Sequence, residues 1–241
     1  MKSTKRQATR TISVHKFGGA ALANAQAIES VVALLARTNG MRVIVTSALA
    51  GVTDVLLSVA RAASTGDLAL AQADARLLHE RHLRVIELID ASDAPLRQYI
   101  DASFAQLAEL LVAVDHEQTL SARMSDAIIS RGERIAAQIV ACALRVSGGA
   151  ATVVDAADFL QTDGRFSDAA PDLARTEIGA LPLFLPIFAR GEVAIVPGFI
   201  GAGKEKSVVT LGRGGSDLTA TVIARVLAAN EVTLWKDVRG F

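Results

Sequence analysis

Cysteine is almost absent from this chain. Cys142 stands alone among 241 residues, which excludes an internal disulfide and leaves a thiolate metal site without partners. It lies on an apolar helical stretch, so core packing is its expected job, in a reducing compartment, the cytoplasm. Net charge is absent too. With 25 basic and 25 acidic residues, the chain lacks the basic footprint of a nucleic-acid binder. No apolar run is long enough to cross a bilayer. The most apolar late stretch, Leu181 to Phe188, is broken by Pro182 and Pro186. There is no internal repeat and no low-complexity linker. The one basic cluster, Lys2, Lys5, Arg6 and Arg10, sits in a polar tail with no apolar segment behind it. Residues 1–10 are therefore expected to be a disordered extension, and not a secretory signal.

What is present is a large apolar fraction, 51% of the chain, enough to build one sizeable globular domain. Short apolar runs alternate with segments of helical periodicity. Strands are expected at 11–14 (running on into Lys16 and Phe17), 42–46, 152–155, 192–197 and 231–235, with a hairpin over 199–210. Helices are expected over 24–37, from 67 to 114 with a break at Asp93-Ala94-Pro95, over 121–146, over 171–190, and over 216–228. The alternation implies a mostly parallel sheet between helical layers, a three-layer αβα architecture. The helical insertion between Gly66 and Val114 carries no motif and reads as a flank or lid. An end at Phe241, directly after a strand, reads as a truncated domain or the first part of a longer polypeptide.

Two glycine-rich segments carry the chemistry. Val14-His15-Lys16-Phe17-Gly18-Gly19 closes the first strand, and Leu211-Gly212-Arg213-Gly214-Gly215-Ser216-Asp217 opens a late helix. Each sets bare backbone amides beside a fixed cation, an arrangement suited to a phosphate or carboxylate. Two such cradles suggest two anionic ligands and a transfer between them. The order of residues around Lys16 is not that of a P-loop. In the second segment Arg213 offers a fork of donors for a carboxylate, and Ser216 is placed to cap the helix that Asp217 opens. Taken singly, most of these residues have plainer readings. Lys16 could be a strand-edge lysine, Glu133 a solvated helix charge between Arg131 and Arg134, Thr53 and Asp54 a helix cap, Phe166 plain core, and Asp237 part of a turn with Gly240. His15 points to the sheet face opposite Lys16 and is given no catalytic role. His79 and His82 have helical spacing but no third ligand, so no metal site is assigned.

Seven motifs occur in one order along the chain: Lys16-Phe-Gly-Gly, Ser47-Ala-Leu-Ala-Gly51-Val-Thr53-Asp54, Arg131-Gly132-Glu133, Asp163-Gly-Arg165-Phe166, Pro197-Gly-Phe199-Ile200-Gly201, Leu211 to Asp217, and Leu234-Trp-Lys-Asp-Val-Arg-Gly240. In this the sequence resembles the catalytic domain of aspartate kinases, from Ile12 to Phe241. The resemblance implies the amino-acid kinase fold over 11–241 and transfer of the γ-phosphoryl of MgATP to the β-carboxylate of L-aspartate. It implies that Lys16 neutralises the transferring phosphoryl while Gly18 and Gly19 present amides to it. Arg213 would pair with the α-carboxylate of aspartate, Glu133 with its α-ammonium, and Ser47, Thr53 and Phe166 would line the acceptor pocket. Asp217 would hold Lys16. Ser216, Trp235, Lys236, Asp237 and Gly240 would border the nucleotide. ATP and Mg2+ are the implied cofactors, and a homo-oligomeric full-length protein without nucleic-acid or membrane partners is the implied assembly. Many family members carry Thr-Ser where this chain has Ala20-Ala21, many have threonine at the position of Lys236, and Asp or Pro is common at that of Arg239. Two rival readings stay within reach: a kinase of the same fold with another carboxylate acceptor, and a non-catalytic amino-acid-sensing or scaffolding domain.

Overall fold

Five short apolar runs become one sheet. In a computed structural model that describes residues 11–38, 40–89 and 93–235, these are β1 (Ile12–Phe17), β2 (Met41–Thr46), β3 (Ala151–Val153), β4 (Val193–Pro197) and β7 (Glu231–Trp235). They pair in the order β3-β4-β2-β1-β7, with every pairing parallel. The central strands show why they read as continuous apolar runs without alternation. All of β4 and the last four residues of β2 are buried, because both faces of a parallel sheet are covered. Two more strands, β5 (Ile200–Ala202) and β6 (Val208–Thr210), form a separate antiparallel hairpin around a 3-10 turn at Lys204–Lys206.

The pleat divides the core. Phe17, Ile44 and Ile195 face a layer built from α1 (Ala25–Leu35) and α5 (Ala122–Val146). Val14, Val43, Val45, Ala194 and Val196 face the opposite layer, α7 (Leu173–Ala189) and α8 (Gly215–Val226). Local chemistry sets the helix ends on the first layer. The Asn24 side chain accepts from the Ala27 amide at 3.0 Å and starts α1. The Arg42 guanidinium closes it by donating to the carbonyls of Leu35 and Thr38, a cation at a helix C-terminus. Ser121 caps α5 through the Met124 amide. A one-turn helix, α6 (Ala156–Phe159), follows β3 between the strand expected at 152–155 and the helix expected over 171–190; four residues are too few to show a helical period.

The helical insertion is α3 (Leu68–Leu88) and α4 (Ala94–Glu117), with Pro95 in the first turn of α4, and it follows α2 (Val52–Ser64). Its buried face, including Leu78, Ile86, Leu107 and Leu111, belongs to the same apolar cluster as α1 and α5. A His79–Asp101 pair at 2.7 Å and the stacking of His79 on Phe104 join α3 to α4. No helix among the described residues is long and apolar enough to cross a membrane.

Candidate active site

Parallel strands bring their carboxyl ends to one edge, where open α/β sheets hold ligands. The chain leaves β1 through Gly18-Gly19, β2 through Ser47–Gly51, and β4 through Gly198-Phe199. These segments meet the first turn of α8 around an open cavity of about 350 Å³. Lys16, Gly19, Ser47, Thr53, Glu133, Arg213, Ser216 and Asp217 all line it. Lys16 and Arg213, almost two hundred residues apart in sequence, open onto the same space.

Three helical N-termini point into this region without side-chain caps. The 3-10 turn Gly19–Leu22 starts from Gly18, α2 from Gly51 and α8 from Gly214. At the second and third the capping glycine is left-handed, with φ of 76° and 73°, a conformation that costs an L-residue free energy. Ser216 therefore does not cap α8. It is the second residue inside the helix, and Thr53 and Asp54 likewise sit inside the first turn of α2 and not at its cap. The consequence is chemical. First-turn amides that a serine or threonine oxygen would ordinarily satisfy are left facing the cavity, where an anion can take them.

Lys16 lies at the end of β1 on the α8 face of the sheet. Its Nζ pairs with Asp217 Oδ1 at 2.7 Å, and the lysine side chain is only 12% exposed. Gly18 keeps the space beside the amine clear, since a Cβ there would sit 3.6 Å from Nζ. Arg213 is exposed at the rim, on the turn between two left-handed glycines.

Glu133 comes from α5 and is 3% exposed. Gly132 makes this approach possible: a Cβ there would lie 2.9 Å from that of Ala48 and 3.0 Å from Val52 Cγ1, so any larger residue would push α5 off the Ser47–Gly51 loop. Burial drives the Glu133 carboxyl up to about 7, against hydrogen bonds from its own amide, the Ala48 amide and the Thr53 hydroxyl. Its Oε2 has no hydrogen-bond partner. A buried carboxylate oxygen left unsatisfied at a cavity wall is a place for a cation or an N–H donor.

Not every expected residue reaches the cavity. Phe166 lies in the loop before α7, half-buried against the α7–α8 side of the core, and does not line the pocket. The Trp235 indole stacks on Phe17, centroids 5.8 Å apart, and its Nε1 donates to His15 at 3.3 Å. Because β7 pairs Trp235 with Phe17 in register, the ring lies on the sheet face opposite Lys16, and only the strand's main-chain end approaches Gly18. Lys236, Asp237 and Gly240 lie outside the described residues, as does the tail of residues 1–10. Two residues had no role assigned from the sequence, Phe199 although it stands in one of the motifs and Asp126 outside them all. Phe199 lines the cavity with φ of 68° and would be 2.7 Å from any Cβ at Gly215; a bulky residue inside a Gly-rich turn is the signal that could have found it. Asp126, two turns before Glu133, is wholly buried, and nothing in its immediate sequence announces that.

Comparison with known proteins gives the family of the fold. The family model described as the amino acid kinase family matches residues 11–241. Lysine-sensitive aspartokinase 3 of Escherichia coli is 31% identical over 95% of this chain and 49% of its own length. Chloroplastic aspartokinase 1 of Arabidopsis thaliana is 33% identical over 94% of the chain and 40% of its length. Chloroplastic bifunctional aspartokinase/homoserine dehydrogenase 2 of the same plant is 29% identical over 95% of the chain and 25% of its length. The crystal structure of E. coli aspartokinase III in complex with aspartate and ADP superposes with a TM-score of 0.84, at 29% identity, over 95% of this chain and 50% of that one. The chain thus spans half or less of the length of each of these relatives. With a match running from Thr11 to Phe241 and a fold that superposes closely, the chain belongs to the amino acid kinase family.

Proposed function

We propose that the chain is the catalytic part of an aspartate kinase, transferring the γ-phosphoryl of ATP to the β-carboxylate of L-aspartate and yielding 4-phospho-L-aspartate, the first step towards lysine, threonine and methionine. The observation that carries this is the pairing of Glu133 and Arg213 across the cavity that also holds Lys16. The unpartnered Glu133 Oε2 suits an α-ammonium, and the Arg213 fork suits an α-carboxylate. An acceptor held at both α-groups leaves its side-chain carboxylate to reach towards Lys16 and the first turn of α8.

In the reaction a β-carboxylate oxygen forms a bond to the γ-phosphorus as the bond to the bridging oxygen breaks and ADP departs. The nucleophile is already ionised at neutral pH, so no general base is required, and catalysis rests on positioning and charge. Lys16 and the uncapped amides of α8 stabilise the charge on the transferring phosphoryl. Asp217 orients Lys16 through their 2.7 Å contact. Gly18 and Gly19 let the backbone approach the phosphates. Ser47 and Thr53 line the acceptor site, with Phe199 in the packing role the sequence assigned to Phe166. Trp235, through its main chain, and Lys236, Asp237 and Gly240 border the nucleotide. Mg2+ held on the nucleotide's phosphates would supply further neutralisation of the charge there. The reading carries with it a cytoplasmic, homo-oligomeric enzyme without nucleic-acid or membrane partners.

The test combines the chain with L-aspartate, MgATP and hydroxylamine, which traps an acyl phosphate as a hydroxamate. Aspartyl hydroxamate forming only when both substrates are present is the expected result. ADP release with glutamate or N-acetylglutamate but not with aspartate overturns the assignment in favour of another acceptor. Aspartate binding with no nucleotide binding in the longest form of the protein overturns it in favour of a sensor.

A further inference from the structure

The proposed acceptor grip has two jaws on different parts of the chain. Glu133 stands on α5, whereas Arg213 stands on the turn after β6. One residue connects them. Asp126 is 0% exposed, and each of its oxygens takes two hydrogen bonds. Oδ2 accepts from the amides of Ser167 and Thr210, at 2.8 and 2.9 Å, and Oδ1 accepts from their hydroxyls, at 3.2 and 2.9 Å. The donors are all neutral and come from two segments far from Asp126 in sequence.

Both segments frame the Arg213 turn. Thr210 lies three residues before Arg213. Its amide and hydroxyl are held by Asp126, and its carbonyl accepts from the Ala169 amide at 2.9 Å. The next residue, Leu211, donates to the Phe199 carbonyl at 2.8 Å. Ser167, with φ of 68°, is kept left-handed by two bonds to the same carboxylate. Its neighbour Asp168 abuts Gly212, where a Cβ would be 2.8 Å from Asp168 Oδ1. On α5 the spacing from Asp126 to Glu133 is seven residues, two helical turns, which keeps both on one face about 10 Å apart.

Resting on the acceptor-site reading above, we propose that Asp126 is a positioning residue that fixes the Arg213 turn relative to Glu133, so that α5 acts as a ruler between the two jaws. A buried carboxylate bonded to four neutral donors is costly to desolvate and is stable only while all four stay in place. It therefore holds the two segments to a single arrangement. Because Asp126 touches neither jaw, its influence is on their separation. Ligands that use both jaws should feel its loss, and ligands that use one should not.

The probes are L-aspartate, succinate, which lacks the α-ammonium, and β-alanine, which lacks the α-carboxylate. Their dissociation constants are measured by calorimetry for the wild-type chain and for Asp126→Asn, which keeps shape but removes the charge and leaves a single oxygen to accept. Wild type is expected to prefer aspartate to both analogues. In Asp126→Asn the expected change is a loss of about tenfold in each preference, the effect of weakening one hydrogen bond to a charged group, with affinity for the analogues themselves nearly unchanged. Should Asp126→Asn fold poorly, Thr210→Val removes a single hydroxyl donor and is expected to lower both preferences by a smaller factor. A lower melting temperature with both preferences intact, in either variant, overturns the positioning role and leaves Asp126 a purely structural anchor. A wild-type chain that binds aspartate no better than succinate or β-alanine overturns the acceptor-site reading itself, and this inference with it.

Discussion

The helical flank and the cavity rim are built by opposite rules. In the flank, α3 and α4 bury regular apolar stripes, and exposed polar groups pair locally, as in His79 with Asp101 or Arg97 with Glu87. At the rim, α2 and α8 start from left-handed glycines where α3 and α4 start from Asp67 and Asp93, Phe199 is left-handed beside the cavity, and a carboxylate sits buried at its wall with one oxygen unpartnered. Exposed charges of the flank pair with one another, and its one buried orphan among the described residues, His82 Nε2, faces apolar packing, whereas the orphan at the rim, Glu133 Oε2, lies at the wall of an open cavity. Local rules of stability are broken where backbone amides and charges are held ready for something else.

If the contrast is real, the two regions should fail differently. The largest effect is expected at the rim. Lys16→Ala should lower turnover about a thousandfold while leaving aspartate affinity within a few-fold, because its charge acts on the transition state. Steady-state kinetics of aspartyl hydroxamate formation read this directly. In the flank, Leu107, 1% exposed, is the counterpart. Leu107→Ala should cost about 3 kcal/mol of stability in urea unfolding, through lost contacts and a cavity, with aspartate affinity unchanged. A Leu107→Ala variant that folds well but binds aspartate poorly would break the comparison.

Glu133 sharpens it through pH. Its carboxyl is pushed up to about 7, by burial above all. An ammonium partner favours the ionised form, so binding should release protons near neutrality. Aspartate affinity is expected to fall about tenfold between pH 8 and pH 6. Calorimetry in buffers of different ionisation enthalpy should show the released proton, and Glu133→Gln should abolish it. The stability consequence has a definite sign. A carboxyl whose pKa is raised holds its proton more tightly folded than unfolded, so Glu133 contributes a loss of stability to the ligand-free chain as pH rises from the ordinary 4.5 towards about 7, opposed by buried His82, whose ring is pushed down to about 4 and contributes a gain over much of that window. Relative to wild type, Glu133→Gln should therefore gain stability as pH rises across that window. The smallest effect belongs to Gly214. With open space around it, Gly214→Ala should cost only the left-handed backbone term, about 1 kcal/mol by thermal unfolding.

The sheet and its major helices were legible because their signals are local. β2 and β4 are short apolar runs, α1 and α5 carry helical periodicity with Asn24 and Ser121 at their starts, and the 199–210 hairpin has its turn residues. The pairing of Lys16 with Arg213 on one cavity was legible as two Gly-rich anion cradles. What was not legible is non-local. Asp126 takes its partners 41 and 84 residues away. Trp235 sits on the far sheet face because of the register of β7 with β1, which no local pattern reports. Ser216 was misplaced for another reason. Serine before a helix signals a cap, but the left-handed Gly214 starts α8 two residues earlier and leaves the hydroxyl inside the helix.

A structure of the chain with L-aspartate bound tests the central claim most directly. The α-ammonium should lie about 3 Å from Glu133 Oε2, the α-carboxylate on the Arg213 guanidinium, and the β-carboxylate towards Lys16. Aspartate seated instead in the open pocket lined by Arg175 and Lys204, or bound by Arg213 with its side-chain carboxylate turned away from Lys16, would contradict the account.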